Sequence, residues 1–157
     1  MIYVFDDNSL SNILNFYYTD RFPSFWEKFN EMIREKRIIS VREVKFELLN
    51  KFNDEQIERL TKRNKNFFEN PSPEELAFIT KIYSVKHFQQ NLDKKKLLHG
   101  GYFADPFIIA KAWKVKGTVI TEETFKENAV RIPNICEHFE IEYGKLENFL
   151  IKEDWKF

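Results

Sequence analysis

Apolar positions along the chain fall into short unbroken runs and longer stretches with a helical period. Ile2, Tyr3, Val4 and Phe5 form one such run, rich in β-branched and aromatic residues. That is the pattern of a strand buried on both faces. Asp6, Asp7 and Asn8 end it abruptly. Residues 24–27 have capping-box spacing ahead of Phe25, Phe29, Met32 and Ile33, which recur at helical core spacing. Ile38 and Ile39 predict a second strand, followed by a helix reaching about Asn50. Asn53 and Asp54 open a charged helix expected to run through Phe68, and Ser72, Pro73, Glu74 and Glu75 start another with favourable capping. Lys94, Lys95, Lys96, Gly100 and Gly101 mark a loop. Asp105 and Pro106 begin a helix ending near Gly117; residues 118–120 read as a third strand and residues 130–132 as a fourth.

Short buried strands separated by helices predict an α/β fold, a three-layer α/β/α arrangement around a parallel sheet of about four to five strands. With 157 residues and no repeat, low-complexity tract or linker, the chain reads as a single domain over residues 1–157. In open parallel sheets, ligands bind at the carboxyl ends of the strands.

Composition narrows the chemistry. Lys and Arg balance Asp and Glu at 25 each, so contact with nucleic acid must come from local patches. Lys111 and Lys114, expected on the exposed face of the helix after Asp105, are placed to meet a phosphate backbone. Cys136 is the one cysteine, which excludes an internal disulfide and a cysteine-cluster zinc site. His87, His99 and His138 lack ligand spacing. No apolar run approaches the about 18 residues needed to cross a bilayer. Residues 1–9 lack the basic and apolar regions of a signal peptide, so no membrane and a cytoplasmic location are expected. Seventeen Phe are hard to bury in a small domain, and Phe46 or the Phe67, Phe68 pair is expected on a partner-binding surface.

The acidic residues carry the candidate chemistry. Asp6 directly follows the first strand, either as a solvated turn residue or as a ligand at the sheet edge. Asp105 projects into the same helical stripe as Ile108, Ile109, Ala112 and Val115, where its carboxylate needs a partner; the competing role is a helix cap before Pro106. Glu47 borders the Val41, Val44, Leu48 stripe, whereas Glu43 projects further toward solvent. Thr121, Glu122 and Glu123 follow the third strand as Asp6 follows the first, and the competing role is a Thr cap with acids in a first helical turn. Three of these four segments lie where strands end or helices begin. Clustered carboxylates repel one another unless cations offset them, and hard oxygen ligands select magnesium or manganese.

These segments, in this order, resemble the PIN-domain nucleases nearly end to end. Tyr3-Val4-Phe5-Asp6-Asp7-Asn8 resembles the opening strand with its aspartate and asparagine, and Ile39-Ser40 followed by Glu47-Leu48 the second strand and glutamate. Ala104-Asp105-Pro106-Phe107-Ile108-Ile109-Ala110 resembles the aspartate before an apolar helix. Val119-Ile120-Thr121-Glu122-Glu123-Thr124-Phe125 resembles the threonine, acid, phenylalanine segment, and Ile132-Pro133-Asn134-Ile135 the closing strand. The last of these and the Asp105 segment are especially similar to a PIN-like bacterial subfamily of unknown function.

The resemblance implies a PIN-like fold and an endoribonuclease in which Asp6, Glu47, Asp105 and Glu123 hold Mg2+ or Mn2+ and carry catalysis. Asn8 and Thr121 would orient those ligands. It also implies the toxin of a type II toxin–antitoxin pair, with RNA as substrate and a small protein antitoxin or a second copy of the chain as partner. Asp7 stands where Thr or Ser is usual, and Glu123 where Asp is commoner. These departures leave open a one-metal site and a catalytically inactive PIN-like scaffold that binds RNA or protein. A phosphoacceptor receiver domain shares the opening strand and acidic pair, but its mid-chain phosphoacceptor Asp and late Lys have no counterpart at suitable positions.

Overall fold

The computed structural model describes residues 1–92 and 103–157. The Lys94, Lys95, Lys96, Gly100, Gly101 loop and His99 therefore lie outside the described residues. Five parallel strands form one sheet: β1 (Tyr3–Phe5), β2 (Ile38–Val41), β3 (Phe68–Glu69), β4 (Thr118–Ile120) and β5 (Tyr143–Gly144), in the order β3-β2-β1-β4-β5. The described helices are α1 (Asp7–Phe16), α2 (Pro23–Arg34), α3 (Arg42–Leu48), α4 (Asp54–Thr61), α5 (Pro73–Ser84), α6 (Asp105–Val115), α7 (Ile132–His138) and α8 (Leu146–Lys152), with a 3-10 turn at Lys86–Phe88. The chain builds outward from β1 to β3, then crosses back to lay β4 on the other side of β1. That reversal between β1 and β4 opens a crevice at the strands' carboxyl ends.

The α/β/α layering follows from which way the β1 side chains point. Tyr3 and Phe5 share one face, edge-on against Phe149 of α8, with Phe5 also edge-on against Phe29 of α2. Val4 points to the opposite side and is fully buried. Helix α6 packs across β1, β2 and β4, burying Ile108, Ile109 and Ala112 as its period requires. It turns into β4 through Lys116, at φ 54°, and Gly117, where a Cβ would stand 2.7 Å from the Ile2 carbonyl oxygen.

Several expectations are corrected. Residues 130–132 are not a strand: Ile132 begins α7 with Pro133 in its first turn, and the strand beyond β4 is β5. The charged helix stops at Thr61, and Phe68 belongs to β3. Phe67 and Phe68 are buried edge to face, which removes them from any partner surface, whereas Phe46 is exposed. Pro23 opens α2, so Ser24 lies inside the helix and no side-chain cap forms there. Capping boxes form at Asn53 with Gln56 and at Ser72 with Glu75. Lys111 is 5% exposed rather than solvent-facing, with its ammonium 3.0 Å from both Glu69 and Glu75. Burial alone would lower its pKa, but those two carboxylates outweigh that and raise it. Lys111 is thus not free to meet RNA. Lys114 stays exposed and pairs with Glu74. Among the described residues, no helix is long and apolar enough to cross a membrane.

Candidate metal centre

The site begins with strand register. Phe5 and Ile120 are paired in adjacent parallel strands, so the next residues, Asp6 and Thr121, emerge side by side at the carboxyl edge. The Asp6 amide donates to the Ile120 carbonyl at 2.9 Å. Asp6 then caps α1: its Oδ1 accepts from the Asp7 amide at 2.7 Å, and its Oδ2 from the Thr121 hydroxyl at 3.0 Å. Asn8 bridges the same crevice, its Oδ1 accepting from the Glu122 amide at 3.0 Å and its Nδ2 lying 3.3 Å from Thr121 Oγ1. On the other side, Ser40 of β2 donates its hydroxyl to the Phe5 carbonyl at 2.6 Å.

Three further acids reach this edge from separate segments. Glu47, on α3, accepts the Ala104 amide at 2.6 Å through Oε1. Ala104 is the residue that caps α6, so the cap role considered for Asp105 is not the one it plays; Asp105 is the first helical residue and is buried. Asp105 Oδ2 accepts from Nδ2 of Asn91 at 3.1 Å. Glu123 lies in a non-helical segment, so the competing role of Thr121 as a helix cap does not hold either; Thr121 Oγ1 instead accepts the Glu123 amide at 3.2 Å. Glu123 Oε2 accepts the Ile132 amide at 2.9 Å, at the start of α7. Its neighbour Glu122 points elsewhere and takes the Leu146 amide opening α8.

Electrostatics reveals how these groups stand to one another. Asp6 is pushed up to about 8, first by burial and then by the charges of Asp105 and Glu123. Glu47 is pushed up to about 9 by burial, by a hydrogen bond with Asp7, and by the charges of Asp6, Asp7 and Asp105. Burial would raise Asp7 too, but hydrogen bonds from Glu47, Lys51 and Ser11 and the Lys51 charge bring it below the usual carboxylate range. The Lys51 ammonium is 2.8 Å from Asp7 Oδ1. The four acids singled out in the sequence therefore share one electrostatic neighbourhood, with Asp7 as a fifth.

Among the described residues, no three His, Cys, Asp or Glu side chains stand close enough to hold a metal ion as they are. The arms are tied back: Glu47 to Ala104 and Asp7, Glu123 to Ile132, and Asp7 to Lys51. Chemically the donor set fits a hard cation, being carboxylate oxygens; burial first, and then mutual repulsion, lifts Asp6 and Glu47. Sharing one ion requires these side chains to come closer together than they stand.

Glu43, expected to face solvent, is 8% exposed and pairs with Arg42. Lys51 and Asn91 were missed by sequence reasoning. Lys51 has a weak signal, four residues after Glu47 as in a helical ion pair, though it crosses to Asp7 instead. Asn91 sits in the polar stretch Gln89, Gln90, Asn91 and has none.

A family model described as a domain of unknown function (DUF4411) matches residues 3–157. The chain belongs to that family. No curated protein and no solved structure matches it.

Proposed function

We propose that this DUF4411 protein is a metal-dependent endoribonuclease, hydrolysing RNA phosphodiester bonds in the cytoplasm as the toxin of a type II toxin–antitoxin pair. One observation carries the reading: carboxyl groups from four separate segments feel one another's charge at the crevice where the sheet order reverses. An RNA backbone would add further negative charge, so this crevice accepts RNA only with a cation between them. Asp6, Glu47, Asp105 and Glu123 would hold Mg2+ or Mn2+. Such an ion, when bound, activates the attacking water and offsets charge on the leaving oxygen.

The chain's own residues hold the frame. Thr121 and the Asp7 amide fix both oxygens of Asp6, and Asn8 ties Asp6's strand to the turn carrying Glu123. RNA as substrate, and a small antitoxin or second copy as partner, follow from the PIN-domain resemblance. Exposed Phe46 is the residue offered to such a partner.

The experiment is incubation of the purified protein with RNA in Mg2+ or Mn2+ and in excess chelator. Cleavage that stops with the chelator is expected; cleavage that persists contradicts the mechanism. The second reading, an inactive RNA- or protein-binding scaffold, draws on the Lys51 ammonium already lodged beside Asp7. It predicts retained RNA with no cleavage under either condition.

A further inference from the structure

We infer that Asn91 is a positioning residue that sets the orientation of Asp105, links it to the turn anchoring Glu123, and so governs how tightly the crevice holds a divalent ion. The inference rests on the metal-site reading above. Asn91 is 1% exposed, just beyond the 3-10 turn that follows α5. Its Nδ2 donates to Asp105 Oδ2 at 3.1 Å and to the Val130 carbonyl at 2.9 Å. Its Oδ1 accepts the Tyr83 hydroxyl at 2.9 Å, from α5. This orientation is the one the neighbours require, because a flipped amide would set its oxygen against a carboxylate and a carbonyl.

Val130 lies two residues before Ile132, whose amide holds Glu123 Oε2. One side chain thus connects α5, the first turn of α6 and the approach to α7, and the last two carry or anchor an acid of the site. Packing alone does not call for an asparagine here. A buried amide is costly unless every bond is made, and an apolar side chain of similar size fills the same space without that demand. What the amide adds is a fixed carboxylate on Asp105. Ligands fixed before the ion arrives need less ordering when it binds, which is why outer hydrogen-bond partners change metal affinity.

The test is Mn2+ binding to the full chain, read from the free-ion signal in electron paramagnetic resonance, with thermal unfolding measured in the absence of metal. Asn91→Leu is expected to weaken Mn2+ binding about 10- to 100-fold, and Tyr83→Phe, which removes only the outer anchor, roughly three- to tenfold. Asn53→Ala, which removes the α4 cap, serves as the purely structural comparison: a lower melting temperature with unchanged affinity. Should Asn91→Leu fail to fold, Tyr83→Phe decides, and an unchanged affinity there overturns the inference. Wild-type protein that binds Mn2+ no better than Asn91→Leu and Tyr83→Phe also overturns it, while the metal site stands. Wild-type protein that binds no Mn2+ overturns the metal-site reading and this inference together.

Discussion

Glu43 and Glu47 lie one helical turn apart on α3, and both are buried. They differ in what they meet. Glu43 pairs with the half-exposed Arg42, a contact worth about 0–1 kcal/mol, whereas Glu47 meets Asp7, the Ala104 amide and the charges of Asp6 and Asp105. Glu47→Gln should therefore lower cleavage by roughly 10²-fold or more, with Glu43→Gln close to wild type. The reverse ranking in a cleavage assay would remove Glu47 from the site. Helical projection pointed to Glu47 but wrongly exposed Glu43, because projection sees only the helix and not the neighbouring elements packed around it. The same residues set a pH dependence. Asp6 and Glu47 ordinarily titrate at 3.8 and 4.5, and burial among like charges raises them to about 8 and 9 in the folded chain. A raised folded pKa stabilises below the unfolded value and is lost as pH rises through the folded one. The metal-free protein should then lose stability between about pH 4 and pH 9, and Asp6→Asn should flatten that slope. Asp7 has the opposite sign: its stabilisation is present above its ordinary value and lost as pH falls. Chemical denaturation across this range checks the slope, and a metal-free stability that climbs from pH 6 to 9 contradicts the assignment.

At the scale of elements, β1, β2 and β4 were legible because each carries adjacent β-branched or aromatic apolar residues and is buried along its length, as a strand covered on both faces must be. The edge strands β3 and β5 were not. Each has two residues, Phe68–Glu69 and Tyr143–Gly144, too short for any periodicity to register. Residues 130–132 read as a strand because Val130 and Ile132 are apolar, but Pro133 favours the first turn of a helix, and Ile132 opens α7. Helix ends carry a prediction of their own. Lys36, Lys116, Glu140 and Asp154 all adopt positive φ just after α2, α6, α7 and α8, where glycine is the usual residue. Lys116→Gly should stabilise the fold by roughly 0.5–1 kcal/mol by relieving that conformation. Gly117→Ala should destabilise it, because the added Cβ meets the Ile2 backbone on β1's approach. Urea denaturation of the two variants should move the midpoint in opposite directions, and a shift in the same direction would show that the α6–β4 turn has been misjudged.

For the molecule as a whole, topology makes the site. The order β3-β2-β1-β4-β5 places the ends of β1 and β4 next to each other, and α3 and α6 bring Glu47 and Asp105 to the same edge. Asp6, Asp105 and Glu123 were singled out because strand ends and helix starts are visible in the sequence, and Glu47 by helical projection. Thr121, expected to orient a ligand, does hold Asp6, but the Asn91 to Asp105 and Lys51 to Asp7 contacts were not legible, since each joins residues with no shared local pattern. With 25 cationic and 25 anionic side chains, the chain offers RNA no overall attraction, so its affinity should depend on the divalent ion more than on monovalent salt. The most direct test of the central claim is calorimetric titration of Mn2+ at pH 7 in buffers of different ionisation enthalpy. Burial and neighbouring acids favour the protonated forms of Asp6 and Glu47, so binding at pH 7 should release protons, about one to two per chain, and the release should shrink as pH rises and be lost in Asp6→Asn, Glu47→Gln protein. Absence of binding, or binding that releases no proton and survives those substitutions, would contradict it.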